Sequence, residues 1–177
     1  MTIKHIVVEG PDGAGKTTFI NELLKRMPEA WDLHPRFSHS IDGPHANLAQ
    51  LVRDDMTEVA FKIKPWIYDR HPLVSEYIYG PACRGKLAPG FEHNGWRGLM
   101  TDRLTDHAVL VVCLPPWHVV NANMMAGEHM AGVTDNAVRI YNDYLRVMVD
   151  WPGVVIPYDY TIRKFSAVYE TLRKVAC

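Results

Sequence analysis

This chain is short of net charge. Nineteen Lys and Arg stand against 20 Asp and Glu in 177 residues, a formal net charge of -1. There is no bulk electrostatic pull toward nucleic acid or a membrane surface, so a DNA partner would depend on a local patch. Long apolar runs are also missing, which argues against a membrane-spanning helix. Cysteine is scarce. Cys83, Cys113 and Cys177 are odd in number and lack metal-like spacing, so neither a disulfide framework nor a thiolate metal site is expected. Cys113 lies inside an apolar run and reads as a small core residue. The start, Met1-Thr2-Ile3-Lys4-His5, lacks a signal-peptide layout, and a cytoplasmic setting is expected, that of the host if the chain is viral. No segment pairs low hydrophobicity with high charge, so disorder is not expected.

What is present suits one soluble α/β domain over residues 1–177, with 47% hydrophobic residues, 22% charged residues and no repeat or linker. Ile3 to Glu9 reads as a buried strand, followed by a helix from Gly15 to Met27 that Pro28 ends. Arg36 to Ser40 is a candidate second strand, and Pro44 is expected to open a helix carrying Leu48, Leu51, Val52 and Val59. Trp66-Ile67-Tyr68 is a short strand leading into Asp69-Arg70-His71-Pro72, and Leu73 to Tyr79 reads as a helix broken at Gly80-Pro81. Residues 80–95 form the longest irregular stretch, before a helix over Gly95 to Asp106. Ala108 to Leu114 has the continuous apolar character of a central parallel strand. Thr134 or Asp135 is expected to cap a helix burying Val138, Tyr141, Leu145 and Met148, stopped by Trp151-Pro152-Gly153. Val154 to Pro157 is a last strand, and Thr161 is expected to cap a helix with Ile162, Phe165, Tyr169 and Leu172. Such alternation predicts an open parallel sheet of about five strands wrapped by helices.

The strongest signal is Gly10-Pro11-Asp12-Gly13-Ala14-Gly15-Lys16-Thr17, continued by Thr18, which fits the phosphate-loop pattern G-x-x-x-x-G-K-S/T. Chance would produce it in on the order of one chain in a hundred of this length, and here a strand precedes it and a helix follows. Glycines let successive N–H groups point at phosphate oxygens, and the helix adds its positive end. Lys16 is placed to reach the β- and γ-phosphates, and the Thr17 hydroxyl to ligate Mg²⁺, so ATP with Mg²⁺ is the expected ligand.

Val8-Glu9-Gly10-Pro11-Asp12-Gly13-Ala14-Gly15-Lys16-Thr17-Thr18 resembles the opening of thymidylate kinases. Asp69-Arg70-His71, with Ser75 after it, is similar to the D-R-Y/H motif shared with deoxynucleoside kinases, and with Pro72 it resembles the herpesviral thymidine kinase form. Asp159-Tyr160-Thr161 is a weaker likeness. The resemblance implies a P-loop nucleoside-kinase-like fold, contact of Asp12 with an acceptor 3′-hydroxyl, and a Glu9 that faces the acceptor or acts as base toward a 5′-hydroxyl. A carboxylate beside the γ-phosphate can take such a proton or help hold hydrated Mg²⁺. Arg70 offers a forked guanidinium for phosphate, and Asp69 can bind Mg²⁺ through water or orient the acceptor. The alternative for this pair is a plain surface ion pair, and His71 reads equally well as packing beneath the loop.

The sequence departs from that family where arginines usually meet the transferring phosphoryl. Neither the loop nor the expected lid, Met124 to Gly132, holds Arg or Lys. Arg84, Lys86, Arg97 and Arg139 are the substitutes, with Arg139 favoured for its place after the lid, and a solvated face as its alternative. Tyr77, Tyr79, Trp66, Trp96 and Phe37 are the rings from which a base-stacking partner would come. The first reading is an ATP- and Mg²⁺-dependent kinase of a deoxynucleoside monophosphate such as dTMP. The second is a kinase of a hydroxyl, either a deoxynucleoside 5′-OH or a hydroxymethylated pyrimidine in DNA. A non-enzymatic nucleotide-binding module ranks last, since no N-K-x-D motif and no acidic end to the Ala108–Leu114 run are present. The partners expected are a small nucleotide acceptor, DNA less so, and no membrane; a homodimer is left open.

Overall fold

The computed structural model describes residues 5–26, 30–39, 43–61, 64–92 and 94–176. Ile3, Met27, Pro28, Ser40 and Cys177, named above, lie outside them. In chain order the elements are β1 (His5–Glu9), α1 (Lys16–Arg26), β2 (Asp32–Leu33), β3 (Ser38–His39), β4 (Gly43–Pro44), α2 (Leu48–Glu58) and β5 (Trp66–Asp69). There follow α3 (Pro72–Tyr79), α4 (Asn94–His107), β6 (Ala108–Cys113), α5 (Trp117–Met124), α6 (Ala137–Asp150), β7 (Val155–Tyr158) and α7 (Phe165–Ala176).

A five-stranded sheet runs in the order β2-β5-β1-β6-β7, and every pairing in it is parallel. This is the open α/β sheet that the alternation predicts. β1 and β6 are buried along their whole length because helices cover both faces. Alternation along β1 divides the core. Ile6 and Val8 pack with Phe19, Ile20 and Leu23 of α1 and Val168 and Leu172 of α7, while Val7 faces α2, α3 and α6. From β1 the chain passes to the edge strand β2, returns through β5 beside β1, and then crosses to β6 on the other side, so β1 borders the topological switch point. Ligand crevices open there, beyond the carboxyl ends of the strands. Among the described residues no helix is long and apolar enough to cross a membrane.

Several expectations shift. The second strand of the sheet is Asp32–Leu33, because this segment continues the ladder onto Trp66 and Ile67. Ser38–His39 instead pairs antiparallel with Gly43–Pro44, so Pro44 ends a hairpin and the helix begins at Leu48. α3 ends at Tyr79, at the expected Gly80-Pro81, but the chain does not become irregular there. The chain continues as a π-helical turn, Gly80–Arg84, whose wider winding accommodates a residue without an N–H, and Gly85 ends it at φ 68°. α6 follows Asn136 and buries Ala137, Ile140 and Tyr144. Val138 and Leu145 face out, 58% and 41% exposed, because the helix turns to bring Tyr144 to a polar partner in the core. α7 starts at Phe165; Ile162 is exposed, and Thr161 instead closes a turn onto the Asp159 carboxylate.

Candidate active site

The phosphate loop follows β1 directly. Gly10 takes φ 140°, and a Cβ there would lie 2.2 Å from the Cys113 carbonyl oxygen, so no other residue fits between loop and β6. Gly13 at φ 77° lets the loop pass against α5, where a Cβ would meet the Val120 carbonyl at 2.8 Å. From α5, Asn123 Nδ2 donates to the Gly13 carbonyl and lies equally close to the Tyr160 hydroxyl, both at 2.9 Å. Ala14 is buried, whereas Thr17 and Thr18 are exposed at the start of α1. The Lys16 ammonium donates to the Pro11 carbonyl at 2.8 Å, bent back over the loop. Burial, with Arg70 nearby, pulls Lys16 down to about 8, against the pull of Asp12 and Asp69. A cavity of about 390 Å³ lies over this loop, lined by Gly13, Gly15, Lys16, Thr17, Arg36 and Asn123 among others.

Beside it, strand register sets the acidic groups. Val8 pairs with Asp69, so Glu9 and Asp69 leave the sheet on adjacent strands. Arg70 has φ 69°, an uncommon value for a residue with a side chain. Its N–H donates to the Val8 carbonyl at 3.0 Å. Its guanidinium donates to Asp12 Oδ1 at 2.8 Å and to the Tyr144 hydroxyl at 3.2 Å, and lies 4.5 Å from the Tyr79 ring centre. Asp69 pairs with Arg36 at 2.7 Å. The Asp69–Arg70 dipeptide is thus no ion pair of its own, since each side chain reaches elsewhere.

Glu9 has no exposed surface. One carboxylate oxygen accepts from the His71 N–H and the other from the Tyr144 hydroxyl, both at 2.8 Å. Burial pushes its carboxyl above the usual range, opposed by Arg70 and these two donors. At Asp12 burial also pushes upward, but Arg70 and Lys16 outweigh it and hold the carboxyl low. His71 serves the fold. Its Nδ1 accepts from the Leu73 N–H at 3.2 Å, capping α3, which leaves the Nε2 proton to face Asp55 at 3.4 Å. Asp55 also accepts from Tyr68 and contacts His34, each at 3.1 Å. Burial pushes Asp55 up, yet His34 and His71 draw it down to about 2.

A second cavity, of about 310 Å³, adjoins the first and shares Asp12, Ser38, Asp69 and Arg70 with it. Phe37 and Tyr79 line it, alone among the five candidate rings. Trp66 packs on His34, Tyr77 lies under Arg97, and Trp96 stands against Phe91. Among the substitute arginines, Arg84 reaches this cavity, paired with the buried Glu76. Arg97 and Arg139 line a separate groove between α3, α4 and α6, and Lys86 is exposed. Arg139 lies there because it donates to the Pro81 carbonyl at 3.4 Å. The lid segment contributes Glu128, His129 and Met130 to the cavity wall, with no Arg or Lys.

Sequence reasoning missed Arg36, Asn123 and Tyr144. Of these, only Tyr144 left a trace, its spacing of four from Ile140 on one helical face. Among the described residues no cluster of three or more His, Cys, Asp or Glu is arranged to hold a metal alone. The Thr17 hydroxyl and the Asp69 carboxylate, which line the cavity over the loop together, suit an ion that takes its other ligands from phosphate and water.

Among solved structures, the chain is similar to the YorR protein of Bacillus subtilis, crystallised in complex with phosphorylated GDP. The two share 16% identity and superpose with a TM-score of 0.70 over 97% of this chain and 94% of that one. That likeness is one of fold. No protein-family model matches the chain, and no curated protein matches it.

Proposed function

We propose that this protein is an ATP- and Mg²⁺-dependent phosphotransferase that moves the γ-phosphoryl to a deoxynucleoside monophosphate, with dTMP or a related pyrimidine nucleotide as first acceptor. The observation that carries this reading is the pair of adjoining cavities with Asp12, Ser38, Asp69 and Arg70 at their seam. Donor and acceptor can then lie end to end, with the transferring group between the phosphate loop and Arg70. The loop amides and Lys16 take the donor phosphates. Arg70, clamped on three sides, presents a fixed fork to acceptor phosphate, and Arg36 brings a second guanidinium to the donor side. Asp12 keeps lone pairs for a sugar hydroxyl. Thr17 and Asp69 would hold Mg²⁺, which supplies charge neutralisation on the phosphates. The fold likeness to a protein crystallised with a phosphorylated nucleotide agrees with this reading.

The second reading, a hydroxyl acceptor, would use Glu9 as its base: burial raises that carboxyl, but Glu9 lines neither cavity and both its oxygens already accept hydrogen bonds. A coupled ADP-release screen against dNMPs, deoxynucleosides and DNA with modified pyrimidines tests both. Turnover with a pyrimidine dNMP is expected. Glu9→Gln then separates the two chemistries. A phosphate acceptor is already ionised and needs no strong base, so the loss should be modest. Base catalysis typically contributes about 10²- to 10⁴-fold, and a loss of that size with ATP affinity intact would give the hydroxyl reading precedence.

A further inference from the structure

We propose that Tyr144 is a positioning residue for phosphoryl transfer, holding Glu9 and Arg70 in fixed relation from the helix that follows the lid segment. The inference rests on the phosphotransferase reading above. Tyr144 is fully buried on α6, and its ring stands edge-on to Tyr79 at 6.4 Å. A phenol has one proton to give and lone pairs to receive, whereas a guanidinium can only donate. The 3.2 Å contact with Arg70 Nη1 therefore has the tyrosine oxygen as acceptor, and the phenol proton goes to Glu9 Oε2 at 2.8 Å. A directed chain results, from Arg70 through Tyr144 to Glu9.

The remaining contacts of both ends are fixed by other elements. Glu9 Oε1 takes the His71 N–H, and Arg70 Nη2 takes Asp12. One hydroxyl thus ties the end of β1 to the loop after β5, and both to α6. A carboxylate with one donor per oxygen, and a guanidinium with a partner at each terminal nitrogen, have little freedom to rotate. Such preorganisation is what a site acting through charge requires.

Tyr144→Phe tests this, since it keeps the ring and removes only the hydroxyl. Turnover should fall by about tenfold or more, the size expected when a hydrogen bond to a charged group is lost, while the KM for ATP stays unchanged. Glu9 loses one of two donors, so its carboxyl rises further. Its midpoint in an infrared titration of the carboxyl should therefore move to higher pH. Combined with Glu9→Gln, the double variant should lose less than the product of the single losses. Unchanged turnover and an unmoved Glu9 midpoint beside a lowered Tm would overturn the proposal, leaving a buried phenol that serves only the fold. If the wild-type protein turns over no acceptor, the parent reading falls and the role in transfer with it, and the infrared titration then decides only the chain from Arg70 through Tyr144 to Glu9. A higher midpoint in Tyr144→Phe supports it, and equal midpoints overturn it.

Discussion

The phosphate loop is one contiguous run, Gly10 to Thr17, whose backbone path is set by glycines at positive φ. The second cavity beside it is assembled from side chains on the phosphate loop, the β3–β4 hairpin, the loop after β5, α3 and the lid segment. A backbone-built site depends on steric room, which local sequence dictates. A side-chain-built site depends on how distant elements pack, and each member is kept in place by another. Arg70 lines both cavities; its N–H is held by the Val8 carbonyl and its guanidinium by Asp12 and Tyr144.

The largest effect should come from the loop. Lys16→Ala is expected to lower turnover about a hundredfold or more, because it removes charge from the transferring phosphoryl. Thermal stability should not fall, since burial already disfavours this ammonium. Near-normal turnover would break the contrast by removing the loop from the chemistry. Next is Arg70→Lys, which keeps the charge and loses the fork. One lost hydrogen bond to a charged partner costs about 1.5–3 kcal/mol, so kcat/KM for the acceptor should drop about 10- to 100-fold, measured by steady-state kinetics. A silent substitution would mean that the side-chain-built site needs only charge.

Asp55→Asn probes the layer beneath the cavity. It weakens the acceptor shared by Tyr68, His34 and His71, and denaturant melts should show a loss of about 1–3 kcal/mol. The folded carboxyl titrates at about 2 against an ordinary 3.8. The wild-type advantage is therefore complete above pH 4 and fades as pH falls toward 2. An advantage that does not change with pH would show that the histidines do not hold Asp55 ionised. The smallest effect belongs to Arg139→Ala. Its ion pair with Asp143 is exposed and worth at most about 1 kcal/mol, and it lines the outer groove, so turnover should not change.

That last case marks where the sequence stops being legible. The open parallel sheet and the loop could be read because each depends on local pattern: apolar runs at β1 and β6, and glycines at fixed spacing. Asp69 and Arg70 could be read because a strand end delivers them to the crevice. Arg139 was favoured for its place in the chain after the lid, but helix rotation carried it to another face. The same rotation brought Tyr144 inward, which a stripe of Val138 and Leu145 does not foretell. Arg36 was hidden because its segment reads as a strand and folds as the approach to a hairpin. Register of the helical faces, and the short strands between Asp32 and Pro44, are what the sequence withholds.

The central claim is that ATP and a nucleotide acceptor bind together, end to end across Arg70. Inhibition by an adenosine and a thymidine joined through a chain of phosphates tests it most directly. Competition against both ATP and the acceptor is expected, with the potency against both weakened in Arg70→Lys. Competition against ATP alone, with the acceptor's KM untouched, would contradict it.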